Sequence, residues 1–257
     1  MRKTFILSLF LALLVVFPPL TADATVMGVD AHDLIKIVSD NDPATTEDSV
    51  VYYLDRDWLR RPFPNRHVYD SWYENFDTVK EITKEEMAQF RLGPPILYRP
   101  GTRLVKIPSI PKVYSVEPGG VLRWITTEDV AIGMYGEDWA DMVRDVPESF
   151  FLNYTEGVPH YLSMWPTGTL VRRSDGAHYL IEGLKKRFVS ADILETLRLN
   201  TEFAVFASDE ALSLYDDLDA LTGADELRFI DTAQVSFVET LVAVTLCGFP
   251  EVVPTCV

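Results

Sequence analysis

Carboxylates are the most abundant side chains here that could do chemistry. The chain has 39 acidic residues against 23 basic ones, a formal charge of −16. Glycoside hydrolysis needs two carboxyl groups flanking the scissile bond. With so many acids, accidental pairs are unavoidable, so a solvated acidic surface is the plainer reading and a carboxylate-pair hydrolase the alternative. Asp40-Asn41-Asp42 and Asp216-Asp217-Leu218-Asp219 place oxygen ligands close together. Neither has the alternating acids and sixth-position glycine of an EF-hand loop, and Asp-rich turns ordinarily bond their own backbone. Nucleophilic catalysis has no footing in sequence: no Gly-x-Ser-x-Gly turn occurs, and His32, His67, His160 and His178 are scattered. Gly119-Gly120 and Gly101-Thr102 read as hairpin turns, with no phosphate loop or dinucleotide fingerprint. No cofactor and no metal are implied.

Aromatic and cationic residues offer a different chemistry, that of recognition. Trp58 stands beside a hairpin tip where the other copies of an internal repeat have Gly120 or Leu184, with Arg56, Arg60 and Arg61 close by. An indole there is either covered by a neighbouring unit or available to a partner, and with the guanidinium groups it has the composition of a binding hot spot for a protein or glycan. Trp72, Trp124, Trp139, Phe150 and Tyr154 recur within the repeat frame and read as core.

Compartment follows from the first residues. Arg2 and Lys3 precede an apolar run from Phe5 to Phe17, and Ala22-Asp23-Ala24 offers a small-residue cleavage site. This is a secretory leader, residues 1–24, with cleavage after Ala24 leaving Thr25 first. The run is too short to span a bilayer, and no membrane span remains after cleavage. An oxidising destination makes Cys247 and Cys256 a disulfide across a small loop; two cysteines without nearby histidine cannot complete a zinc site. The acidic surface repels nucleic acid and anionic lipid. A hydrophobic content of 47% is ample for packed cores and excludes global disorder.

The elements that must position these groups come from a unit repeated three times. Val51-Tyr52-Tyr53-Leu54-Asp55, Val113-Tyr114-Ser115-Val116-Glu117 and His178-Tyr179-Leu180-Ile181-Glu182 share Tyr, any residue, aliphatic, acid. Each is followed by turn formers and an arginine-led strand at Arg61, Arg123 or Arg187, which is hairpin chemistry. Capping residues and apolar spacings then predict one helix. A second is predicted by the aligned blocks from Ile82 to Phe90, Val146 to Tyr154 and Ala207 to Tyr215. A leading strand opens each unit at Leu34, Leu104 or Leu170. The expected fold is α+β: three tandem repeats, each a small antiparallel β-hairpin or meander followed by two short helices. After the 25–32 linker, the repeats fall at 33–97, 98–165 and 166–218, the third shortened, with a cap at 219–257.

The stretch Tyr98-Arg99-Pro100-Gly101-Thr102-Arg103-Leu104-Val105-Lys106, with Lys112-Val113-Tyr114, Pro118-Gly119-Gly120-Val121-Leu122-Arg123-Trp124 and Phe150-Phe151-Leu152-Asn153-Tyr154-Thr155, resembles a repeat of predicted exported and surface proteins from uncultured small-genome bacteria. The resemblance covers roughly residues 33 to 215. It implies an envelope or extracellular setting and no mechanism. The expected function is therefore an exported, secreted or cell-surface repeat protein that is not catalytic and binds an envelope or extracellular protein or glycan. The alternatives are the hydrolase and a ligand-free spacer. Mass spectrometry of the exported protein should find Thr25 as its first residue and, without reductant, a peptide joining Cys247 to Cys256; an intact Met1 or free thiols would contradict these readings.

Overall fold

The computed structural model describes residues 28–42 and 44–223. The leader with its Ala24–Thr25 junction, both cysteines and all but the first few residues of the C-terminal cap lie outside the described residues.

Each unit is built round one five-stranded sheet. In the first, β1 (Leu34–Ile37), β2 (Tyr52–Leu54) and β3 (Leu59–Pro62) form an antiparallel meander. The chain then passes through α1 (Arg66–Asp70) to β4 (Val79–Ile82), which runs parallel beside β1. It returns through α2 (Lys84–Met87) to β5 (Arg91–Leu92), parallel beside β3. The order is β4-β1-β2-β3-β5, with β2 alone reversed.

The second unit repeats this path with β6 (Leu104–Lys106), β7 (Tyr114–Glu117), β8 (Val121–Trp124), α3 (Glu128–Tyr135), β9 (Val143–Asp145), α4 (Glu148–Phe151) and β10 (Thr155–Glu156). The third does so with β11 (Leu170–Arg172), β12 (His178–Glu182), β13 (Lys185–Val189), α5 (Ala191–Thr196), β14 (Val205–Phe206), α6 (Asp209–Leu212) and β15 (Asp216–Leu218). The sheets thus correct the antiparallel expectation: the meander is present, but two parallel edge strands make each sheet mixed. Most of those strands hold two or three residues, too few to show periodicity. Their shortness also limits edge-to-edge pairing with other chains.

Capping fixes where the short helices begin. Thr83 and Glu86 form a reciprocal capping box, while Thr127 and Ser208 accept the N–H of Val130 and Ala211. Helices of four to eight residues are too short to stand alone, so packing must hold them.

Successive strand residues point to opposite faces, and each sheet buries both. One face of the first sheet carries Ile35, Leu54 and Ile82, covered by Met87 and Phe90. We call it the back. Its front carries Leu34 and Tyr53, and this face packs with Val68 and Tyr69 onto Val105, Val116, Val146 and Tyr154, the back of the second sheet. The front of the second, with Leu104, Val130 and Met134, packs in the same manner onto Val171, Ile181, Ala207 and Tyr215 of the third. The units are stacked front to back. The third unit's front, with Leu170, Leu180 and Ile193, forms its own cluster.

An arginine on the third meander strand ties down each unit's last edge. Arg61, Arg123 and Arg187 donate from Nε to the carbonyls of Pro94, Val158 and Asp219, just beyond β5, β10 and β15. Arg123 and Arg187 also reach the hairpin acids Glu117 and Glu182, at 3.1 and 3.4 Å. In the second and third units the recurring acid and arginine of the sequence thus belong to one clamp. Two residues beyond each carbonyl, Ile96, His160 and Leu221 donate their N–H to Pro62, Trp124 and Phe188, sealing the same edge.

The linkers stitch the stack. The N–H of Tyr98 and of Trp165 is accepted by the hydroxyls of Tyr154 and Tyr215, and Trp72 donates back to the Leu97 carbonyl. Buried Arg99 lies over Trp72 and donates to the Arg198 carbonyl, bringing the third unit against the first. Where the linkers turn into β6 and β11, Gly101 (φ 73°) and Gly168 (φ 96°) press against each other. A Cβ on Gly101 would collide with the backbone of Gly168 and Thr169. Gly176 also has positive φ (87°) but open space around it. In urea unfolding, Gly101→Ala should therefore cost at least about 2 kcal/mol more than Gly176→Ala, whose penalty is conformational strain of ~1 kcal/mol; equal costs would refute the crossing as a constraint.

Candidate functional site

The hairpin joining β2 to β3 is held by Asp55, whose Oδ1 accepts the N–H of Asp57 and of Leu59 at 3.0 and 2.9 Å. This closure places Trp58 at φ 60°, a left-handed backbone that a bulky residue adopts at a cost of ~1–3 kcal/mol. The second unit has Gly120 at the corresponding place, φ 70°. A side chain on Gly120 would collide with Leu97 of the preceding linker. In the first unit the Trp58 indole lies flat on Phe90, with centroids 6.1 Å apart and planes within 9°.

The indole is 38% exposed. Arg60 shares its face, with the guanidinium 5.2 Å from the Tyr52 ring centroid and a buried Nε that has no hydrogen-bond partner among the described residues. Leu92 pairs with Arg60 across the edge and is 64% exposed. Arg56 is exposed at the hairpin tip. Arg61, one residue beyond Arg60 in the strand, points to the opposite face, is buried, and is committed to the Pro94 carbonyl. The structure therefore puts Arg60 over Tyr52 on the sheet face where Trp58 covers Phe90, leaves Arg56 exposed at the tip, and places Arg61 in the scaffold.

One close pair was not visible in the chain's order. Ser115 Oγ and His160 Nε2 lie 2.9 Å apart, from positions 45 residues distant in sequence. Both residues are buried, at 1% and 2% exposure, so no substrate reaches them. Burial, with the nearby Arg123 charge adding to it, pushes the imidazole down to about pKa 3, so it is neutral. The equivalence of His160 with Ile96 and Leu221 is the signal that would have identified it as a core position. Burial likewise raises the Glu117 carboxyl, against the pull of Arg123 and the Thr167 N–H.

A cavity of about 450 Å³ opens at the seam of the first two units, lined by His67, Lys106, Val143, Arg144 and Asp145. Lys106 is already paired with Asp145 at 3.6 Å, and Arg144 Nη1 donates to the carbonyls of Asp141 and Val143. Among the described residues no group of three or more His, Cys, Asp or Glu side chains could hold a metal ion. The Asp40 turn bonds itself: Asp40 accepts from the Asp42 N–H and the Thr45 hydroxyl.

No known protein family matches the chain, and neither does any curated protein. Among solved structures, a chain from "Structure of the periplasmic assembly from the ESX-5 inner membrane complex, C1 model" is 11% identical, covering 77% of this chain and 68% of that one at a TM-score of 0.20. A likeness that weak transfers neither fold nor function. Among the described residues no helix is long and apolar enough to cross a membrane.

His160 makes stability depend on pH. Its folded pKa of about 3 lies below the ordinary 6.5, so the unfolded chain binds the extra proton between those values. This contribution is complete above pH 6.5 and is lost as the pH falls toward 3, amounting to roughly 2–3 kcal/mol near pH 4.5. Urea midpoints measured from pH 7.5 down to about 4.5 should fall more steeply for the wild type than for His160→Gln; parallel profiles would show that His160 does not titrate as described.

Proposed function

We propose that the chain is an exported, non-catalytic repeat module, secreted or held at the cell surface, that binds an envelope or extracellular protein or glycan at the hairpin edge of its first unit's back face. Trp58 is the anchor, Arg60 and Arg56 its cationic rim, and Arg61 the clamp that holds the hairpin edge in place.

The observation that carries this reading is the strained indole itself. Glycine would relieve the backbone at position 58, as it does at Gly120, yet the position carries a large aromatic that is more than one-third exposed. Stacking on Phe90 compensates part of the strain by covering a core residue. The remaining face of the ring, beside Arg60 and Leu92, has the chemistry of an interface anchor. The leader and the resemblance to exported repeat proteins support the compartment. The alternative, a carboxylate-pair hydrolase, rests on the abundance of acids alone.

The test is a pull-down of the mature protein against purified envelope fractions, together with a glycan array, comparing wild type with Trp58→Ala and Arg60→Ala. Retention should fall at least tenfold in Trp58→Ala, equivalent to about 1.4 kcal/mol, and less in Arg60→Ala. Equal retention by all three proteins would remove Trp58 from the binding surface.

A further inference from the structure

Repeat stacks end in units whose outer faces are normally polar, because nothing packs on them. This stack does the reverse. On the back face of the first unit, Leu92 occupies the place of Glu156 and Asp217, Phe90 that of Tyr154 and Tyr215, and Trp58 that of Gly120 and Leu184. On the front face of the third unit, at a place left exposed among the described residues, Phe206 stands where the other units have Glu81 and Asp145, each ion-paired to a lysine at 3.0 and 3.6 Å. Leu218 stands where they have Gly93 and Gly157. Phe206 is 61% and Leu218 37% exposed. At Leu92, Phe206 and Leu218, on the faces that pair inside the chain, polar or glycine positions have become apolar.

We propose that these ends bind each other in trans: the front of the third unit of one copy docks on the back of the first unit of the next, continuing the stack head to tail. Inside one chain this front-to-back contact is made twice, and among the described residues one half of it is left at each end. The linker halves are present as well. Leu221 occupies the edge position of Ile96, and Val29, which precedes positive-φ His32 as Tyr98 precedes Gly101, lies in the first unit's back cluster. A contact between two different faces is heterologous, and it gives open chains or rings in place of symmetric dimers. The proposal rests on the reading of the first unit's back face as a docking surface and names a second copy as an occupant.

Sedimentation of the mature full-length protein between about 1 and 500 µM should show mass rising with concentration, the range in which a Kd weaker than ~1 µM is read. Leu92→Glu blocks one face and Phe206→Glu the other; both residues are exposed, and circular dichroism should show both variants folded. Each variant alone should stay monomeric. Their equimolar mixture should form a 1:1 dimer that grows no further, since one intact front meets one intact back. A monomeric wild type at every concentration would overturn the proposal. So would a mixture that stays monomeric while the wild type associates, because that pattern marks a symmetric contact or another surface. Retention of envelope components through Trp58 by a monomeric wild type would overturn self-assembly and leave the broader binding reading standing; loss of both would overturn both.

Discussion

The contact between Gly101 and Gly168 governs how closely the second and third units can stack. These turns lead into successive sheets, and their backbones meet with no room for a β-carbon. Apolar faces bury efficiently only when they approach to within van der Waals distance, and a void or a gap of a methyl group forfeits part of that gain. The glycines therefore do more than supply positive φ. They set the spacing at which Leu104, Val130 and Met134 can reach Val171 and Ile181. The hydroxyls of Tyr154 and Tyr215, accepting the linker N–H groups beside each glycine, hold the same spacing from the next turn along.

With the spacing set, the alternation of strand side chains explains why the units are stacked and not separate. A five-stranded sheet with short helices cannot cover both of its faces from its own residues. Each unit lends its front to the next unit's back, and the apolar positions of both faces are satisfied at once. The arginine clamp makes this possible at the edges. By fixing Pro94, Val158 and Asp219, it holds down an edge strand of two or three residues that could not pair stably by itself. Gly93 and Gly157 lie against the side chains at the clamp, where a β-carbon would crowd Leu59 and Arg61 or Val121.

Much of this order was legible in the chain. The Tyr, acid and arginine pattern located the meander, because local turn chemistry and strand alternation leave a signature within about ten residues. The blocks ending at Phe90, Tyr154 and Tyr215 located the capped turns that follow. The parallel edge strands were not legible: Thr155-Glu156 and Val205-Phe206 are too short for any period, and their pairing is decided by the crossover that precedes them. The arginines were visible as recurring residues, but their acceptors lie some thirty positions on and are backbone carbonyls without a residue signature. Of the candidate site, Trp58 was singled out by its departure from the repeat. The separation of Arg60 from Arg61 onto opposite faces follows from strand alternation and from the register with Tyr53, which the sequence does not print.

The departures from the repeat carry the functional information, since agreement among units reports only on shared packing. His160 departs from Ile96 and Leu221 inside the stack, where the surrounding core forces it to be neutral and to find a partner in Ser115. Leu92, Phe206 and Leu218 depart at the two ends, where they are exposed among the described residues, and Trp58 departs beside them with one face of its ring stacked on Phe90. An exposed apolar side chain in isolation needs no explanation. Four of them, placed on the two faces that the fold elsewhere uses only for docking, with one held in a strained backbone, are most economically understood as an interface that the folded unit leaves open.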